Sequence, residues 1–357
     1  MFLERIILYC FEKIQAERSA SSIYYLLTAK KSIQTVQDAY LYRIDSFYGI
    51  LPSLSKETYD KKIVHLHRHH YLTQMDNSYF ETTTKGKEFV DMQPAQIEGF
   101  HGIEYHQLVQ PFTDRLLLLI QTIANTYQRN YNFIPTTDKW IAESFVKRKF
   151  HLYKDHLDII QTRLYQELHQ QLLLLGDTEA SIFVDRLSGY NYYGLSMEQL
   201  SQKYKLDHEN IELLLSKVIM QFLYNIHKKL DKYPIMQSII EDLRDDHTTL
   251  SSSAAKTYTL LKKGHQINDI VRIRNLKINT IQDHIVEIAI RDHHFPIYNF
   301  VSKETVEIIF QAMKRSNTFR LREIKQCLDT NVSYFEIRLT LALIGTSRGE
   351  TNDRVQI

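Results

Sequence analysis

Apolar residues recur at intervals of three and four along almost the whole chain, and this spacing predicts a protein built of helices. Over residues 2–17, Ile6, Ile7, Tyr9, Cys10 and Ile14 fall near one helical face. Residues 19–44 continue with Ile23, Leu26 and Leu27, then Ile33, Val36, Tyr40, Leu41 and Ile44, giving two further helices with Ser32 as N-cap of the second. Ser55 can cap a helix over Lys56–His69. The period then shortens. Residues 71–82 form two β-type runs around the polar turn Asp76-Asn77-Ser78, and Thr84-Lys85-Gly86 opens another helix. Helices followed by such a hairpin predict a winged-helix-like domain over residues 1–95.

Residues 96–178 are expected to form a helical connecting domain, a central bundle broken by Pro111 and Pro135, with Thr136, Thr137 and Asp138 as capping residues before Trp140. The best linker candidate is 231–250, with Pro234 and the charged run Glu241 to Asp246, followed by Ser251-Ser252-Ser253.

Two segments align without a gap at an offset of 70: 194–218 and 264–288. Gly194 pairs with Gly264, Met197 with Ile267, Leu200 with Ile270, Leu206 with Leu276, Ile211 with Ile281, Leu215 with Ile285 and Val218 with Ile288. A short helix, a three- or four-residue turn and a second helix packed across the first have this apolar pattern, that of a helix-turn-helix. In the second copy Asn275 falls where the turn needs a left-handed residue, which Asn tolerates; in the first, Lys205 stands there. Asp207 is a good N-cap for the first copy's second helix, whereas Lys277 is a poor one, so Asn279 is the alternative cap. Residues 179–230 are thus expected as one helix-turn-helix module and 251–348 as a second. Ser333 caps the last helix of a looser echo over Leu321–Leu339.

The fold class expected is mainly α, with multiple helix-turn-helix modules, an N-terminal winged helix with a small β-hairpin and a central helical bundle. Composition agrees: 10 glycines and 6 prolines in 357 residues leave few turns for an all-β fold. No apolar stretch approaches the ~20 residues of a membrane span. Cys10 and Cys327 are lone and far apart, so a cytoplasmic protein without structural disulfides is expected, with association to the nucleoid open.

The net charge of +2 is an average over unequal parts. Residues 91–250 carry 16 basic and 21 acidic side chains, whereas residues 251–325 carry 13 and 7, a net of +6. A basic module attracts polyanions through phosphate neutralisation and counterion release. In its second helix, Lys277, Asn279, Thr280, Gln282 and His284 are candidate DNA contacts, with Lys262, Lys263, Arg272 and Arg274 nearby. Asn and Gln can read adenine edges, while Lys and Arg hold phosphates. Asp283 and Glu287 lie on the same helix, so a structural or protein-docking module stands beside the DNA reading. The first copy carries Asp207, Glu209 and Glu212 against Lys217, which repels phosphate and points to a structural or protein-facing role. Lys30, Lys31, Lys85 and Lys87 are further DNA candidates at the N-terminal end.

No Gly-x-x-x-x-Gly-Lys-Ser/Thr loop occurs, so the chain is not itself an ATP-driven motor, and neither Gly-x-Ser-x-Gly nor His-Glu-x-x-His nor Cys-x-x-Cys is present. No cofactor or metal is expected. His65 and His69 are i, i+4 and could share a metal, yet no Cys or carboxylate completes a set, and histidines suit a helix C-terminus. Most of the 23 tyrosines are expected in cores; Tyr190-Asn191-Tyr192-Tyr193 is the best candidate for exposed rings that stack on bases.

The stretch Ala29-Lys30-Lys31-Ser32-Ile33-Gln34-Thr35-Val36-Gln37-Asp38 resembles a Gly-Lys-Lys/Arg-Ser-Ser-Gln-Thr-Ile-Gln-Asp phrase of the YpbB family of Gram-positive bacteria. About residues 250–345 resemble that family's helicase-type helix-turn-helix domain, also found at the end of some RecQ helicases. Its Ile-Ala-x-x-Arg-Gly-Leu-x-x-x-Thr-Ile-x-x-His core is similar to Ile270-Val271-Arg272-Ile273-Arg274-Asn275-Leu276-Lys277-Ile278-Asn279-Thr280-Ile281-Gln282-Asp283-His284, with Val271, Asn275 and Lys277 departing from it. The resemblance implies a non-enzymatic partner of a RecQ-type DNA helicase, contributing DNA binding in repair or replication restart. The alternative is a sequence-specific transcription regulator. Oligomeric state is not legible.

Overall fold

The structure, a computed structural model, describes residues 2–30, 32–243, 250–292, 294–328 and 331–347. The chain opens with α1 (Phe2–Ile14), α2 (Ala20–Leu27), α3 (Ile33–Leu41) and α4 (Lys56–Arg68), then a hairpin of β1 (Leu72–Asp76) and β2 (Tyr79–Thr82), then α5 (Thr84–Asp91). The hairpin is antiparallel, pairing Leu72 with Thr82 and Gln74 with Phe80, with an irregularity between Gln74 and Asp76. Among the described residues it is the sole sheet. Ser32, Ser55 and Thr83 cap α3, α4 and α5, each accepting from the backbone N–H three residues on.

The middle comprises α6 (Gly102–Tyr127), α7 (Trp140–Tyr153), α8 (Leu157–Leu172) and α9 (Asp177–Asp185). α6 does not break at Pro111. Phe112, Leu116 and Tyr105 are buried and hold both halves against the core, while Gln107, whose carbonyl loses its partner at the proline, is itself exposed. Lys139 takes the N-cap position of α7 with no side-chain bond, so Thr136, Thr137 and Asp138 precede the helix without capping it.

The first repeat copy is α10 (Met197–Tyr204) and α11 (His208–Lys228), and α12 (Pro234–Ile240) follows. α12 lies inside the segment expected as a linker. It is a packed helix because Ile235, Met236, Ile239 and Ile240 are all buried and because the buried Glu167 carboxylate accepts from the N–H groups of Ile235 (3.0 Å) and Met236 (2.9 Å). The run Glu241 to Asp246 lies partly outside the described residues.

The chain then forms α13 (Ser252–Lys262), α14 (Ile267–Arg274), α15 (Ile278–Arg291), α16 (Lys303–Ser316), α17 (Leu321–Gln326) and α18 (Tyr334–Ser347). Ser251, just after the segment expected as a linker, caps α13 by accepting from Ala254 N–H (3.1 Å).

One hydrophobic cluster runs from Phe2 to Ile344, and a small satellite of Ile182, Leu200 and Ile211 lies under the first repeat copy. The N-terminal helices pack on the C-terminal ones: α3 contacts both α15 and α18. Polar bonds fasten the same interface. Arg18 donates to the Phe319 carbonyl (3.3 Å), Glu17 accepts from Phe319 N–H (2.8 Å), and Gln37 donates to the Arg338 carbonyl (2.8 Å).

Candidate nucleic-acid interface

α13, α14 and α15 form a three-helix unit in which α15 packs on α13 and α14. α14 ends because Asn275 turns left-handed, φ 49° and ψ 48°. Leu276 and Lys277 then lead into α15, where Lys277 holds the N-cap position with extended backbone and no side-chain cap. Asn279 lies inside the first turn and does not replace it. The N-terminal end of α15, the end of a helix that attracts anions, therefore carries no side-chain cap.

Arg274 and His284, both expected at DNA, are turned inward. Arg274 donates to the Ser253 carbonyl (2.7 Å) and hydroxyl (2.9 Å) and also to Thr257. Thr257 is buried and bonds His284 Nδ1 (2.9 Å), which lies 3.3 Å from the Arg274 guanidinium. Burial, and then the Arg274 charge, hold the His284 pKa below its ordinary value against the opposing pull of Glu287 and Asp283. This latch ties α13 to α14 and α15. The helical period already contained it: Arg274 is i+4 from the buried Ile270, and His284 is i+3 from the buried Ile281.

The two acids that weighed against DNA are also engaged internally. Arg338 of α18 donates to Asp283. Glu287 accepts from the backbone N–H and hydroxyl of Ser251 at the start of α13. What remains outward around the turn is Arg272, Lys277 and Asn279, exposed, with Thr280 and Gln282 half-buried. Ile273 (55% exposed) and Ile278 (46%) flank the same turn as apolar surface. Neither was singled out in the sequence, although Ile273 lies off the stripe of Ile267, Ile270 and Val271 that faces the core.

The remaining lysines are elsewhere. Lys262 and Lys263 are exposed at the end of α13, with Lys262 Nζ 4.1 Å over the Tyr258 ring. They precede α14, whose eight residues put roughly 12 Å between them and the turn. Lys30 is exposed and lies over Tyr25 (3.8 Å), and Lys31 is outside the described residues. Lys85 donates to the His69 carbonyl (3.0 Å) at the end of α4, and Lys87 is exposed on α5. His65 and His69 stand ring to ring, 4.4 Å between centroids, on the exposed side of α4. Among the described residues no group of three His, Cys, Asp or Glu side chains is placed to hold a metal, and no helix is long and apolar enough to cross a membrane.

A helix-turn-helix domain model matches residues 253–341, from the first turn of α13 through α17 and into α18. Protein YpbB of Bacillus subtilis (strain 168) is 29% identical over 345 residues, covering 95% of this chain and 97% of that one. The chain is thus similar to this YpbB protein along nearly its whole length, and the helix-turn-helix match lies within that similarity. No solved structure matches it.

Within the chain the first repeat copy has the same geometry as the second and different surroundings. Lys205 is left-handed at the end of α10, φ 53° and ψ 43°. Asp207 holds the N-cap position of α11 without capping it, because its carboxylate is taken by Lys62 Nζ (2.8 Å), which also holds Glu4 (2.7 Å). The start of α11 is thereby fastened to α4 and α1.

Proposed function

We propose that the protein is a non-enzymatic accessory protein that binds DNA through the turn between α14 and α15 and works beside a RecQ-type DNA helicase in repair or replication restart. The observation that carries the DNA part is the outward set Arg272, Lys277 and Asn279, beside a helix start with no side-chain cap, while Asp283 and Glu287 are engaged by Arg338 and Ser251. In this reading lysine and arginine there neutralise phosphates, and the exposed Asn279 amide is the group that reads a base edge. The helicase part rests on the family resemblance. In this reading 251–348 is the DNA module, and 1–95 and 179–230 serve mainly to hold it and a partner.

The deciding experiment mixes the full chain with single-stranded, duplex and forked DNA over a salt series, with and without the helicase. The proposal expects co-purification with the helicase, and affinity that falls steeply with salt and differs little between sequences. Failure to bind the helicase at micromolar concentration removes the partner reading. Sequence-specific duplex affinity that survives physiological salt would make the protein a transcription regulator instead.

A further inference from the structure

Residues 188–194, Ser-Gly-Tyr-Asn-Tyr-Tyr-Gly, form a tight loop between α9 and α10 that carries three tyrosines outward. Tyr190 is 45% exposed, Tyr192 52% and Tyr193 82%. Among the described residues none of the three rings stacks on another ring, and none of the three hydroxyls hydrogen-bonds. The loop backbone, by contrast, is tied down. Gly189 and Tyr192 exchange N–H···O bonds (2.9 and 3.3 Å), and Gly194 N–H donates to Ser188 Oγ (2.9 Å). Leu195 N–H donates to the Asp185 carbonyl (2.7 Å), and Asn191 supplies the left-handed turn at φ 55°. Gly194 passes so close to Arg186 that a Cβ there would sit 2.2 Å from its carbonyl oxygen.

A rigid display of tyrosines with Ser, Gly and Asn between them has the composition of a protein-binding loop. Tyrosine offers a large, stiff, half-polar contact area with only two rotatable bonds to order. The loop springs from Arg186 and returns to Met197, and both line a cleft of about 300 Å³ floored by Val109, Leu117, Phe183, Leu215 and Ile219. Residues 176–212 carry seven acidic side chains against three basic ones. Glu179, Asp185 and Asp207 are paired with Lys217, Lys203 and Lys62, which leaves Asp177, Glu198, Glu209 and Glu212 against Arg186 and Lys205. Phosphate is disfavoured beside this loop, and a cation is favoured: guanidinium groups are drawn both to tyrosine faces and to carboxylates.

We propose that loop 188–194 and the cleft at its root dock a protein partner through a cationic segment, arginine or lysine beside an apolar side chain that enters the cleft. The inference deepens the partner half of the proposed function and rests on it. The two repeat copies then divide the work: the acidic copy takes protein and the basic copy takes nucleic acid.

The test uses the full chain, a labelled Arg-Arg-Leu-Leu-Arg-Arg peptide, its Glu-Glu-Leu-Leu-Glu-Glu counterpart and oligothymidylate. Tyr190→Ser/Tyr192→Ser/Tyr193→Ser leaves charge unchanged, so non-specific attraction of the peptide survives in it. The expected result is arginine-peptide binding that weakens about tenfold or more in the triple variant, with no binding of the glutamate peptide and unchanged oligothymidylate affinity. Glu198→Lys/Glu209→Lys gives an independent arm and is expected to weaken the same peptide. Equal peptide affinity in the triple variant overturns the proposal, as does absence of arginine-peptide binding to the natural chain. Loss of oligothymidylate binding in the triple variant also overturns it, since the rings would then be stacking on bases. A helicase that co-purifies equally with the triple variant sinks this surface and leaves the partner reading standing. Peptide binding without helicase binding does the reverse.

Discussion

Lys205 and Asn275, seventy positions apart, hold the same left-handed backbone, φ 53° and ψ 43° in one and φ 49° and ψ 48° in the other. Each closes the first helix of a helix-turn-helix, and each is followed by a leucine that packs inward, Leu206 on the satellite cluster and Leu276 on the main core. The two copies are one backbone device in two electrostatic settings. Lysine pays a steric cost there that glycine avoids and that asparagine partly avoids. Lys205→Gly is therefore expected to stabilise the chain by about 0.5–1 kcal/mol, and Asn275→Gly by less. Denaturant melts of the two variants check the order; a destabilised Lys205→Gly would contradict it.

Arginines two residues apart in α14 are expected to behave differently. Arg272→Glu with Lys277→Glu should weaken DNA binding and flatten its salt dependence while leaving the melting temperature nearly unchanged, because both side chains are exposed. Arg274→Ala should cost roughly 1–3 kcal/mol of stability by leaving the Ser253 and Thr257 oxygens short of a donor. Anisotropy and thermal melts on the same preparations separate the two effects.

Acidification should loosen the C-terminal module. Burial beside Arg274 keeps His284 neutral in the folded state, with its pKa below the ordinary 6.5. As pH falls through that unfolded value the unfolded chain takes up a proton that the folded chain refuses, so stability present above it is lost. A histidine pulled the other way would be stabilising at low pH, so the sign is diagnostic. Comparing melts of the natural chain and His284→Gln between neutral and mildly acidic pH should show a smaller pH dependence in the variant.

Lys62 joins Glu4, which is buried, to Asp207 at the start of α11. Its bond holds the Asp207 carboxyl below the usual carboxylate range. Lys62→Met leaves Glu4 buried without its cation and should destabilise the chain by about 3 kcal/mol. Hydrogen exchange should then rise in α10 and α11 more than in α15. Uniform protection would show that the first repeat copy is not held through this bridge.

Period and punctuation were enough to place most helices, the hairpin, the caps at Ser32, Ser55 and Ser333, and the repeat with its left-handed positions. These features depend on residues within a few positions of one another, where backbone sterics and local hydrogen bonds act. Where a local rule met a distant partner it failed. Asp207 is a strong capping residue that does not cap because Lys62, from another helix, takes its carboxylate. Pro111 is a helix breaker in a helix held together by buried neighbours on both sides.

The composition of the C-terminal module, its net charge and its helix-turn-helix pattern were settled by the order of residues alone. Which charges face solvent was decided only by the packed molecule. Arg338 and Ser251 lie far along the chain from Asp283 and Glu287 and engage them across helix contacts, and Thr257 and Ser253 draw Arg274 inward. A charge count sums every ionised group equally, whereas a passing phosphate meets only those without a partner inside the fold.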